Sequence, residues 1–240
     1  MTKNFKILLA ISYALILFVF LYLIFSNIQI SRINDFSYYK EIQFNIEAFI
    51  GKNIYINLVY FSIFSIIWVT LLGFGSPLTI ISGILFGKWI GTLVSLISIS
   101  VGALILYSIT DYFFKDLIKK ILRNKFEKYI QIFKKNEFFY FFIYRFAGGL
   151  GLPFFLQNTV PVIFRMKKNN YFFASFFGFV PGFFVFNTIG SGLNNFIKQS
   201  DNFSVLKLIS TAEIYLPVFM FICLILVSII LKKFFFNVRN

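Results

Sequence analysis

Long apolar runs punctuated by short polar stretches dominate the chain. Ile7 to Phe25, Ile54 to Leu72, Gly91 to Thr110, Tyr171 to Ile189 and Leu208 to Leu231 each approach the roughly 20 residues that a helix needs to cross a bilayer core. The pattern predicts an all-α fold, a polytopic helical membrane protein. Lys3 and Lys6 precede the first run, which ends in Ser26-Asn27-Ile28-Gln29 with no small-x-small cleavage pattern, so it reads as a retained transmembrane helix. Residues 26–53 are polar and mixed in charge. Within them Tyr39, Ile42, Ile46 and Phe49 recur at helical spacing and predict a short surface helix. Between 111 and 135 an apolar stripe from Phe114 through Ile118, Leu122, Phe126 and Phe133 is flanked by Lys115, Lys119, Lys120, Arg123, Lys125 and Lys128. That pattern predicts a basic amphipathic helix in the headgroup plane. Further on, Gly178-Phe-Val-Pro181-Gly182 predicts a kink, Gly190-Ser-Gly192 a helix end, and 198–211 a polar loop.

Two apolar segments cannot be ordinary membrane helices. Phe138 to Phe164 carries Arg145, the glycines Gly148, Gly149 and Gly151, the prolines Pro153 and Pro161, and the amides Gln157 and Asn158. Gly and Pro weaken a helix by roughly 1 and 3 kcal/mol per residue, and an arginine at the bilayer centre costs roughly 2.5–3.5 kcal/mol on insertion scales. Broken backbone at that depth is tolerated where it is buried in protein or lines a wet cavity. The bland alternative is a surface turn with Arg145 reaching for the headgroups. The second broken segment is Gly73-Phe-Gly75-Ser-Pro77, which shares a G-x-G-x-P pattern with Gly149-Leu-Gly151-Leu-Pro153. Paired Gly/Pro-interrupted segments point to a transporter binding site. The spacing of Gly83, Gly87 and Gly91 puts all three on one helix face, and there the expectation is close helix packing.

Charge then sets topology. Basic residues place the N-terminus, the 115–135 helix, the 165–168 loop and the C-terminus in the cytoplasm, with 26–53 and 194–212 outside. Counting crossings under that constraint makes 54–90 enter and leave on the outer side and 136–164 enter and leave on the inner side. The expected architecture is therefore two oppositely facing re-entrant hairpins in an inverted repeat.

Composition narrows the chemistry. The 240 residues are 59% hydrophobic and 22% aromatic, with a net charge of +14. In a membrane protein that charge marks cytoplasmic loops and anionic lipid contact rather than nucleic acid. There is no histidine and one cysteine, Cys223, so His-based catalysis, a disulfide framework and a Cys metal cluster are excluded. No catalytic, cofactor-binding or metal-binding residues are expected, and the chain does not read as an enzyme.

The ordered set Gly75-x-Pro77, Ser82-Gly83-Ile-Leu-Phe-Gly87-x3-Gly91, Phe141-x3-Arg145, Pro153-Phe154-x3-Asn158-x2-Pro161, Gly178-x2-Pro181-Gly182 and Gly190-x-Gly192 resembles the VTT-domain proteins, the DedA-like or SNARE-associated Golgi protein superfamily. The resemblance implies facing re-entrant hairpins. It also implies lipid scrambling or flipping, or proton-linked transport, of phospholipids or polyprenyl phosphates, and a functional role for Arg145. It divides the chain into an N-terminal anchor and outer loop (1–53), a membrane core (54–195) and a C-terminal helix with a basic tail (196–240). Two features depart from the family. Ala147-Gly148-Gly149 stands where a proline often follows the arginine, and no acid occurs between Ile54 and Thr110.

The expected function is translocation of anionic or phosphate-bearing lipids. Arg145, Gln157, Asn158, Gly149, Gly151, Pro153, Gly73, Gly75 and Pro77 would form the path, while Gly83, Gly87, Gly91, Pro161, Gly178, Pro181 and Gly190 would shape it. Half-helices after each G-x-G-x-P turn would aim backbone N–H groups at the midplane. For most of the glycines and prolines a purely structural role is the competing reading. The expected partners are membrane lipids with anionic headgroups, with self-association into a homo-oligomer left open. The expected location is a bacterial inner membrane. Two alternatives remain: a proton-coupled secondary transporter using Asp111, Glu47 or Glu137, and a membrane organiser that transports nothing.

Overall fold

The computed structural model describes residues 35–200 and 204–236, with Leu15, Phe18, Val19, Tyr22, Ser26 and Arg32 before them; the side chains of 114–129 and 231–236, and of a few single residues, are not described. The apolar run 7–25 and the amphipathic side-chain pattern of 114–129 therefore lie outside the described residues.

Among the described residues the chain is helical and carries no strand. The order is α1 Phe36–Lys52, α2 Ile54–Thr70, α3 Gly75–Lys135, α4 Glu137–Phe146, a 3-10 turn Gly148–Gly151, α5 Phe154–Thr159, a second 3-10 turn Val160–Phe164, α6 Lys168–Gln199, α7 Val205–Ser210 and α8 Ala212–Phe236. Among the described residues two helical stretches are long and apolar enough to cross a membrane, within Gly75–Phe113 and at Lys168–Gln199; a third crossing is available if α1 and α2 form one bent span.

Asp35 caps α1 by accepting from the backbone N–H of Ser37 at 2.9 Å, which satisfies one of the four N–H groups a helix start leaves open. Asn53 then interrupts the helix with extended backbone and caps α2 by accepting from Ile56 N–H at 3.2 Å. The two helices meet at 109°. The surface helix foreseen near 38–50 is thus α1.

Two reversals follow in quick succession. At the end of α2, Leu72 takes a left-handed φ of 68°, and the Trp68 indole N–H donates to the carbonyl of Phe74 at 2.9 Å, closing the turn. A β-carbon on Gly73 would collide with that indole. Pro77 sits in the first turn of α3, where a missing N–H costs nothing. The second reversal is at Gly87, whose φ of 73° and ψ of 174° are not helical. Beyond it the chain folds back, because Ser82 Oγ donates to the carbonyl of Gly91 at 3.0 Å. In a straight helix those residues would stand about 13.5 Å apart. Gly83, Gly87 and Gly91 therefore do not share one helix face. Gly87 is the break, and Gly83 and Gly91 lie on separate arms that both pack against Asn187.

The long arm after Gly87 runs on through Asp111 without the change of element expected there. Its 88–113 part is roughly 39 Å of helix. Beside it, Thr70 Oγ1 reaches the carbonyl of Gly102 at 3.4 Å. The tip of the hairpin formed by α2 and 75–86 thus lies level with the middle of that span. Tyr107 donates to the carbonyl of Met166 at 2.7 Å, while Phe133 stacks on Phe164 with centroids 4.5 Å apart. A straight helix would separate Tyr107 from Phe133 by about 39 Å, so the long arm bends between them.

The helix α6 is the spine of the bundle. It runs unbroken through Pro181 and through Gly190–Gly192 to Gln199, so the glycines do not end it. Neither has the positive φ of a helix stop. Each instead removes a β-carbon that would collide with a neighbouring backbone, at Ile80 for Gly190 and at Glu213 for Gly192. Gly102 makes a third such approach, to Ile66, and these glycine Cα–H groups face carbonyl oxygens across helix interfaces. Chain 198–211 is correspondingly not one polar loop, since α7 occupies 205–210. The last helix begins at Ala212, not Leu208, because Thr211 is extended, with ψ of 126°.

Candidate functional site

The second broken segment folds back as tightly as the first. Arg145 on α4 bonds residues 157 and 158 on α5, contacts that a straight helix would hold about 18 Å apart. Gly148, Gly149 and Gly151 supply the turn with φ values of 64°, 70° and 81°, a region where a β-carbon is disfavoured. Gly149 has a second reason to be glycine, since its β-carbon would overlap the Gln157 carboxamide. That carboxamide fastens the turn by donating to the carbonyls of Leu152 at 2.7 Å and Gly148 at 3.2 Å. Pro153 is the extended residue before α5. Pro161 opens the second 3-10 turn and is buried.

At the centre lies Arg145, 2% exposed. Its Nε donates to Ser175 Oγ at 3.3 Å, Nη1 to Gln157 Oε1 at 3.3 Å, and Nη2 to Asn158 Oδ1 at 2.6 Å and to the Tyr171 hydroxyl at 2.9 Å. Phe141, one turn before it, and Phe179 place ring centroids 4.8 and 4.7 Å from the guanidinium carbon, within cation–π range. Tyr171 is itself fixed between Tyr107 at 4.4 Å and Phe141 at 5.0 Å, and it donates to the carbonyl of Asn158 at 3.2 Å. Every acceptor is neutral. Among the described residues no carboxylate pairs with this guanidinium.

The two G-x-G-x-P stretches meet at a cavity of about 620 Å3. Phe74, Gly75 and Ser76 from one tip face Gly151, Pro153 and Phe154 from the other. A β-carbon on Gly75 would stand 3.1 Å from the Phe154 ring. Arg145, Gln157 and Ser76 are the polar residues of this wall, and seven phenylalanines, four of them on α6 and α8, with five glycines make up most of the rest.

Of the residues singled out from sequence, Arg145, Gln157, Gly75, Gly151, Pro153 and Gly178 line the cavity. Asn158 lies just behind Arg145, fully buried, with no partner for its Nδ2. Gly149 lies under Gln157, Gly73 under Trp68, and Pro77 is exposed at the start of α3. Pro181 is half-buried within α6. The proposed proton carriers are elsewhere. Glu137 is buried and accepts from the Lys167 backbone N–H at 3.0 Å and from Asn170 Nδ2 at 2.7 Å, joining the starts of α4 and α6. Glu47 pairs with Lys198, and Asp111 is half-buried on the long arm. None of the three lines the cavity.

Sequence reading missed Tyr171, Ser175 and Phe179. They recur every four residues on one face of α6 together with Gly178, so helical spacing carried the signal. A family model for the VTT domain matches residues 72–192. The match takes in every cavity-lining residue except Phe221 and Ile225 on α8. No solved structure matches the chain.

Proposed function

The chain belongs to the VTT-domain family of membrane proteins, and on that premise we propose that it carries anionic or phosphate-bearing lipids between leaflets through the cavity beside Arg145. One observation carries the reading: a buried guanidinium with only neutral partners stands on the wall of a chamber whose lining is mainly apolar. An uncompensated buried cation is costly, and an incoming anion relieves that cost. Four of the five N–H donors of Arg145 are engaged within the protein. The fifth, on Nη1 beside the cavity-lining Gln157, is available to a headgroup oxygen. A phosphate makes a charge-assisted bond there, while phenylalanines receive the hydrocarbon. Gln157 spends both its donors on the glycine turn, so it orients Arg145 and leaves headgroup binding to the arginine.

The proposal includes the membrane geometry. The hairpins tipped at 71–74 and 148–153 are read as re-entrant from opposite faces, related as an inverted repeat. The tip level with Gly102 supports this, because it stops near the middle of the neighbouring span. Cytoplasmic termini, a bacterial inner membrane, lipid as the partner and transport without catalysis belong to the same reading. Proton coupling gains no support, since no described carboxylate faces the cavity.

The test is exchange of a headgroup-labelled anionic phospholipid in liposomes holding native protein beside Arg145→Ala at equal reconstitution. Rapid exchange, lost in the variant, is expected. No exchange by the native protein with any of several anionic lipids overturns the proposal.

A further inference from the structure

We propose that the seam between α6 and α8 is the doorway by which a lipid's hydrocarbon tail reaches the cavity from the bilayer, closed by Phe186 against Phe221. The inference rests on the lipid-carrying reading and adds a route to it. The two helices run antiparallel and are pinned at one end. There a β-carbon on Gly192 would stand 2.6 Å from the carbonyl oxygen of Glu213, and Asn195 Nδ2 donates to Glu213 Oε2 at 2.7 Å. Further along, the Phe186 and Phe221 rings lie 5.1 Å apart and tilted by 56°. Beyond that pair lie Gly182 and Ile225, which line the cavity, and no atom lies within 4 Å of where a Gly182 β-carbon would be. The seam thus passes from backbone contact to one closed aromatic pair to open space.

Each leaf has a point of bending beside its phenylalanine. Pro181 lies inside α6 and Pro217 inside α8, about one turn before Phe186 and Phe221. An internal proline removes one helical hydrogen bond and eases bending there. The outer side of the door faces hydrocarbon: Val218, Phe219 and Ile222 are 41%, 62% and 49% exposed. Bilayer tails therefore stand against one side of the aromatic pair while the chamber stands on the other. A lipid whose headgroup sits at Arg145 keeps its tail in the bilayer by threading it through this seam.

The test starts from a Cys223→Ser background carrying Phe186→Cys and Phe221→Cys, bridged by a short bifunctional methanethiosulfonate that reductant removes. A photoreactive p-benzoylphenylalanine in place of Ile225 reports tail entry by mass spectrometry, in vesicles of phosphatidylglycerol and phosphatidylethanolamine. Bridging is expected to lower the lipid adduct at least fivefold and lipid exchange at least tenfold, both restored by reductant. Phe186→Ala, with no bridge, is expected to speed exchange at least twofold. Unchanged adduct in the bridged protein overturns the doorway, and so, where native protein exchanges lipid, do native exchange rates in both the bridged protein and Phe186→Ala. If bridging blocks the adduct while native protein exchanges no lipid, the doorway stands and the lipid-carrying reading falls.

Discussion

The α-carbon of Gly178 on α6 lies against the β-carbon of Arg145 on α4, with no room for a methyl group between them. That contact sets how closely α4 approaches the spine, and hence whether Arg145 reaches Ser175 and Tyr171 together. Gly178→Ala should therefore lower stability by about 1–3 kcal/mol through overpacking and slow lipid exchange. Gly182→Ala, one turn on and facing open space, should be neutral or stabilising, since alanine favours helix by about 1 kcal/mol. Thermal melts of the two variants in detergent decide this, and equal losses would contradict it.

Replacing Asn158 by aspartate puts a carboxylate 2.6 Å from Arg145 Nη2. The internal ion pair should keep the fold, leave the guanidinium with no need of a ligand, and cut exchange of anionic lipids at least tenfold. Arg145→Lys should also lose most activity, because an ammonium cannot span Ser175, Gln157, Asn158 and Tyr171 at once. Full exchange by Asn158→Asp would remove the guanidinium's free charge from the mechanism.

Gly87 has nothing within 4 Å of its absent side chain, yet its φ is +73°. Gly87→Ala should cost on the order of 1–3 kcal/mol through backbone strain alone. Gly51 is equally unobstructed but carries no positive φ, so Gly51→Ala should leave the melting temperature unchanged or raise it. The comparison isolates conformation from crowding.

The Lys198 ammonium bonded to Glu47 holds that carboxyl below its ordinary value of 4.5. A depressed folded-state value means the pair's stabilisation is complete above pH about 4.5 and fades as pH falls through the lowered value. Both groups are substantially exposed, at 40% and 44%, so solvent screening limits the pair to about 0.2–1 kcal/mol. Melting temperatures of native protein and Glu47→Gln, compared from pH 7 down to 3, should differ slightly at neutrality and converge in acid. A difference that grows in acid would reverse the sign of the coupling.

How much of this was legible in sequence depended on whether a residue's letter revealed its task. A charge and two amides inside an apolar run stand out because the bilayer penalises them, and the structure gathers Arg145, Gln157 and Asn158 into one network. Glycine is ambiguous, since one letter serves a reversal, a close approach and a stop. The spacing of Gly87 predicts packing, whereas the residue makes a reversal. Gly190 and Gly192 were read as a stop and proved to be close approaches. Tyr171 and Ser175 were overlooked because isolated hydroxyls are common in membrane helices, and their bond to Arg145 exists only once α4 and α6 are side by side.

The matched family segment ends at residue 192, but the chamber does not. Phe221 and Ile225 complete its wall from a helix that begins 20 residues later. A fragment trimmed to the family boundaries would keep the arginine, the 148–153 turn and most of the spine, but lose both α2 and the α8 wall. Its unit of inheritance is smaller than its unit of containment, so a transplanted core would have to borrow a wall from its new host.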